Sequence, residues 1–137
     1  MGLYLCIFDG EEEVDGVEVG PYADFNGLRN YVVRNLENGQ AGNRFPTFIL
    51  HSDSDGEWRI SACTDLHAEL KKIIALMKTL PPIPFISEWQ NKVARAVGLV
   101  SKNALESFVD VDGEFVLERI CDLAEIGIER RCPIMFQ

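Results

Sequence analysis

Residues 44–61 read RFPTFILHSDSDGEWRIS: an apolar run, an acidic loop and the start of a helix. The run at 45–50 has the length of a buried strand, with Pro46 near its beginning. The loop after it carries Asp53, Asp55 and Glu57, with Gly56 as the turn residue and Trp58 at its end. Ser61 fits the N-cap of the helix that follows. That helix has the clearest period in the chain. Leu66, Leu70, Ile73, Met77 and Leu80 recur at spacings of 4, 3, 4 and 3, and Ile74 widens the stripe. Pro81, Pro82 and Pro84 end it.

Working outward, residues 3–8 (LYLCIF) read as a first buried strand closed by Asp9-Gly10. Glu11, Glu12, Glu13, Asp15 and Glu18 follow as a dense acidic segment. Val14, Val17 and Val19 suit a short edge strand, giving an exposed hairpin whose charges discourage stray pairing. Asp24 fits a helix N-cap, with Phe25, Leu28, Val32 and Leu36 as its apolar face and Gly39 as its stop. Downstream, SEWQ at 87–90 has the form of a capping box, with Trp89, Val93 and Val97 expected on the core side and Gly98 at the helix end. Ser101 fits the cap of a short helical stretch through Glu106. The segment VDVDGEF at 109–115 echoes SDSDGEW at 52–58. Val116, Ile120, Leu123, Ala124 and Ile128 mark a last helix, and residues 133–136 a terminal strand. Three main strands alternating with helices predict an α/β fold. The expected form is a small, mostly parallel sheet packed by four to five helices, with α+β as the alternative.

The 137 residues fit a single domain spanning 1–137, large enough for a core without staples. The formal net charge is −9. It argues against direct nucleic-acid binding, in which Lys and Arg supply most of the affinity. It suits a basic protein partner instead. Cys6, Cys63, Cys121 and Cys132 form no CxxC pair, and buried reduced thiols in a reducing cytoplasm are expected. LYLCIF is too short for a signal peptide and lacks a basic region before it, and no run has transmembrane length.

Chemical signatures fail one by one. An EF-hand loop needs oxygen ligands at positions 1 and 12 around a central Gly. With Gly56 at the centre those positions are His51 and Ala62; with Gly113 they are Phe108 and Arg119. Both DxDG segments therefore read as turns leading into helices. His51 with Asp53 and Asp55 is the one arrangement that suggests a metal-dependent hydrolase. Cys63 and His67, four apart, share a helix face but lack two further ligands. There is no GxSxG, P-loop or GxGxxG. No cofactor is expected. Trp89 reads as core, while Trp58 fits either core or a binding anchor.

Together, LYLCIFDGEEEVDGVEVGPYADF (3–25), FPTFILHSDSDGEW (45–58), SEWQ (87–90), FVDVDGEFVLERI (108–120) and RCPIMFQ (131–137) resemble the immunity protein 70 family of bacterial polymorphic-toxin systems. The resemblance runs over nearly the whole chain. It implies a non-enzymatic protein that binds a toxin encoded beside it and blocks it stoichiometrically in the cytoplasm. No catalytic residues carry over. Joined to the charge, it predicts a toxin-binding face built from Glu11, Glu12, Glu13, Asp15, Glu18, Asp53, Asp55 and Glu57, anchored by Trp58. The partner expected is a basic toxin such as a nuclease domain, and the chain itself is a monomer or weak homodimer. The rival readings are the hydrolase at His51, Asp53 and Asp55, and an acidic protein-binding adaptor.

Overall fold

A computed structural model describes residues 2–85 and 87–137. Among them the chain forms strands β1 (Leu3–Asp9) and β2 (Glu12–Gly20), then helices α1 (Tyr22–Leu36) and α2 (Pro46–Ile49). Strand β3 (Glu57–Trp58) and helices α3 (Ile60–Met77), α4 (Glu88–Val97) and α5 (Val116–Arg130) follow, and β4 (Ile134–Phe136) ends the fold. A single 3-10 turn, Leu105–Ser107, lies before α5.

The sheet overturns the expectation of a mostly parallel α/β fold. Its order is β2-β1-β4-β3, and every pair is antiparallel. The architecture is α+β, with four strands and five α-helices among the described residues. The parallel reading failed because the terminal strand enters between β1 and β3. Two further bonds extend its pairing with β1, Tyr4 N–H to Gln137 O at 3.1 Å and Gln137 N–H to Tyr4 O at 2.9 Å. The acidic segment contributes a nine-residue edge strand, longer than expected. Register shifts at both ends of its pairing bend it, and Val111 N–H donates to Glu18 O at 3.0 Å on its outer side.

The second correction is at 45–50. The run PTFI is a short helix, α2, and not a strand. Pro46 sits in its first turn, where a missing N–H costs nothing. Both ends are capped from a distance. The Glu69 carboxylate of α3 accepts the N–H groups of Thr47 (3.2 Å) and Phe48 (3.0 Å). The buried Arg29 guanidinium of α1 donates to the carbonyls of Phe48, Ile49 and His51, at 3.3, 3.2 and 2.6 Å. These partners satisfy the groups every helix end leaves free.

The long-helix period reads correctly. Leu66, Leu70, Ile73 and Met77 have no exposed surface. Each such burial stabilises the fold by about 1.5–3 kcal/mol. Helix α3 packs along α5, and the approach is close at Gly127. A Cβ there would lie 2.9 Å from the Cys132 carbonyl oxygen and 3.0 Å from Cys63 Sγ.

Caps differ in detail. Arg59, not Ser61, precedes α3, and Pro21, not Asp24, precedes α1. Ser87 does precede α4, but its side chain makes no cap bond. Gln90 is buried, and its amide donates to Val109 O at 3.4 Å. Ala94 is the other buried residue of α4, while Val97 is 57% exposed. Gly98 ends α4 in the left-handed region at φ 72°, and Leu99 N–H donates to Ala94 O at 2.8 Å.

Candidate functional site

Strand alternation divides the sheet into two faces. Leu3, Leu5, Ile7, Val17, Val19, Trp58, Ile134 and Phe136 are buried in one core with Phe25, Leu28, Leu66, Ile73, Leu117 and Ile120 of the helices. The intervening residues point away from that core. Register places Gly16, Cys6, Met135 and Glu57 in one row across all four strands. Tyr4 pairs with Glu18, and Phe8 with Glu13, on either side of it. Among the described residues this face carries no helix. Phe8 is 37% exposed, Met135 is half-buried, and Glu13, Glu18 and Glu57 are exposed. An antiparallel sheet tolerates one watered face, but such faces are normally polar.

Tyr4 organises the centre of this face. Its ring lies over Gly16, where a Cβ would meet the hydroxyl oxygen, so glycine is what lets the ring lie flat there. The hydroxyl donates to Glu13 Oε1 at 2.6 Å. That bond, with burial and the carboxylate's charge, pushes the tyrosine pKa up to about 12. Cys6 is fully covered, and burial, then Glu13, raises its thiol pKa.

The expected acidic residues do not converge. Strand β3 runs in the same direction as β1, and β2 and β3 form the opposite edges of the sheet. The loop before β3 therefore lies at the end where β1 begins, while Glu11 and Glu12 sit at the far turn. Asp15 faces the helices and pairs with Arg119 of α5 at 3.2 Å; this hydrogen bond raises the arginine's pKa. Asp53 accepts the Asn26 side-chain amide at 2.6 Å, which lowers its pKa. Asp55 accepts the Ser52 hydroxyl at 2.7 Å. Only Glu13, Glu18 and Glu57 of the predicted set share the open face.

Trp58 is not available as an anchor. It is 2% exposed, and its indole N–H donates to Thr47 O at 2.9 Å. Its ring lies against Phe136, with centroids 4.8 Å apart, and near Phe48 and His51. His51 stacks on Phe136 at 4.3 Å. Its Nδ1 and Nε2 face the carbonyl oxygens of Ser52 (2.9 Å) and Glu57 (2.8 Å). Its ring nitrogens lie against backbone carbonyls, and among the described residues no hydrogen bond joins it to Asp53 or Asp55. Cys63 Sγ donates to Trp58 O at 3.8 Å instead of facing a metal with His67. Among the described residues no three His, Cys, Asp or Glu side chains gather in a way that could hold a metal ion.

The model of the family described as Immunity protein 70 matches residues 3–136. The chain belongs to that family. Membership implies an immunity protein directed against a toxin. No curated protein and no solved structure matches the chain. No helix among the described residues is long and apolar enough to cross a membrane.

Sequence reading missed the open-face residues Tyr4, Phe8 and Met135. The alternation within LYLCIFD was visible, but only the register shows which set lies uncovered. It also missed the polar anchors of this immunity protein: Arg29, Glu37 and Asp110, which are buried, and Glu69, which is half-buried. Burial lowers the Arg29 pKa, against the opposing pull of Asp53.

Asp110 accounts for the echoed DxDGE segment. It is 1% exposed, and Oδ1 accepts the N–H groups of Asp112 and Glu114, both at 2.9 Å. Burial raises its pKa despite those two bonds. The native state thus keeps this proton to higher pH than the unfolded chain does. The stability tied to the protonated form is present below the ordinary value of 3.8 and is lost as pH rises through the native pKa. Asp110→Asn retains Oδ1 as acceptor and removes the charge. Urea melts should show a variant at least as stable as wild type at neutral pH, with a smaller loss of stability on going up from acid. A variant markedly weaker at pH 7 would show that the charge itself is needed.

Proposed function

We propose that this chain neutralises a cognate toxin by stoichiometric, non-enzymatic binding, with its acidic strand surface against a basic surface of the toxin. A nuclease domain is the kind of toxin whose charge fits. The observation that carries the reading, beyond family membership, is the distribution of charge. The four strands contain Asp9, Glu12, Glu13, Asp15, Glu18 and Glu57 and no Lys or Arg. Asp9 and Asp15 are paired with Arg130 and Arg119, while Glu13, Glu18 and Glu57 have no ion pair among the described residues. Such a field speeds encounter with a cationic partner and repels nucleic acid. Four free, buried cysteines fit action in a reducing cytoplasm.

The test is co-expression of the neighbouring toxin-like reading frame with and without this chain. Growth should stop without it and resume with it, and the purified pair should form a 1:1 complex. Association should slow at least tenfold between low and high salt, because screening removes the steering of exposed charges. Growth arrest that the chain fails to relieve, in a strain where both are expressed, would refute the reading.

A further inference from the structure

We infer that the helix-free face of the sheet is the surface that receives the toxin, and that it receives a cationic, arginine- or lysine-bearing patch. The identity of the occupant as a toxin rests on the function proposed above; the chemistry of the face does not.

Two properties of this face coincide. Its centre is apolar and rigid, with Tyr4 held by Glu13, Phe8 37% exposed and Met135 beside the covered Cys6. Its rim is anionic, with Glu18 on the β2 side and Glu57 on the β3 side. An apolar, aromatic centre inside a polar rim is the usual anatomy of a protein interface. Backbone pairing holds the residues in place, so little ordering is required on binding.

Charge selects among occupants. A second copy of the chain would bring Glu13, Glu18 and Glu57 against the same residues, with no base on either set of strands. Like charges brought together at an interface are penalised. A basic surface gains from each of them. The acidic loop at Asp53 and Asp55 competes poorly for this role, because it precedes β3 and lies off the apolar centre of the face.

The deciding variant is Glu18→Lys with Glu57→Lys. Both side chains are exposed, so the fold should persist, as circular dichroism would show. Its Kd for the toxin should rise about a hundredfold, and protection of growth should fail. Asp55→Lys, in the loop before β3 and off the face, should change Kd less than threefold. A folded double variant that binds within threefold of wild type would overturn the proposal while leaving the functional reading intact, provided wild type still protects. If wild type itself gives no protection, the functional reading fails and a second measurement decides the face alone. Titration of the 15N-labelled chain with a polyarginine peptide should shift the amides of Tyr4, Cys6, Phe8, Gly16 and Met135. Shifts confined to the 52–56 loop or the turn at Gly10 would overturn the proposal. So would a dimer of the free chain that Phe8→Lys dissolves, since that would assign the face to a second copy.

Discussion

Glu37→Ala should lower the stability of this protein by about 4 kcal/mol, and its melting temperature by roughly 10–15 °C. Glu37 has no exposed surface, yet it terminates α1. Its carboxylate turns back into the following loop. Oε1 accepts Gly42 N–H at 3.1 Å, and Oε2 accepts the N–H groups of Arg44 (2.8 Å) and Phe45 (2.9 Å). Arg44 completes the closure by donating to Leu36 O at 3.1 Å. Alanine would leave three backbone donors without their acceptor, and a buried donor left bare costs about 1–3 kcal/mol. The loop so held delivers Phe45 into the core and starts α2, which in turn presents Thr47 and Phe48 to Trp58. Glu37→Gln keeps one carbonyl acceptor and should fall between wild type and alanine. Thermal melts followed by circular dichroism check the order. An alanine variant melting within about 3 °C of wild type would show that water or loop rearrangement replaces the carboxylate.

What could be read in advance follows the range of the interactions. Helix α3 was legible because its stripe repeats over 18 residues and depends on nothing outside itself. Helix α5 was legible for the same reason. The run at 45–50 was not, because a largely apolar run of six residues fits a buried strand or a buried helix equally. Glu69 and Arg29 settled the matter, one at each end of α2, from sequence separations of about twenty residues. No local pattern announces them. The sheet was misread for a related reason. Strands separated by helices suggest parallel crossovers, but a four-stranded sheet closes differently when its last strand enters the middle. The same insertion determines the candidate site. It separates the two acidic segments to opposite edges, and it sets Met135 beside Cys6 on the uncovered face. Acidic composition was visible from the start; which acids share a surface depends on register, and a shift of one residue would exchange the two faces.

Trp58→Ala should cost about 3–5 kcal/mol, close to the whole stability of a marginal domain. This outcome bears on function, because a tryptophan beside an acidic loop is also what an interface anchor looks like in sequence. The structure separates the two roles. The ring is 2% exposed, lies 4.8 Å from Phe136 between centroids, and is fixed by its bond to Thr47 O. Strand β3 is only two residues long, so this side chain is most of what attaches it to the core. Losing it should release β3 and the 51–56 loop together, and with them the position of Glu57 on the open face. Loss of toxin neutralisation by Trp58→Ala would therefore say nothing about contact. Trp58→Phe is the informative change. It keeps an aromatic ring against Phe48 and Phe136 and gives up the Thr47 bond, for a cost of about 1–2 kcal/mol. A core role predicts that this folded variant binds the toxin as wild type does, with only its melting temperature reduced. A drop of tenfold or more in affinity at unchanged fold would mean that the indole reaches the partner, and that the loop opens to expose it when the complex forms.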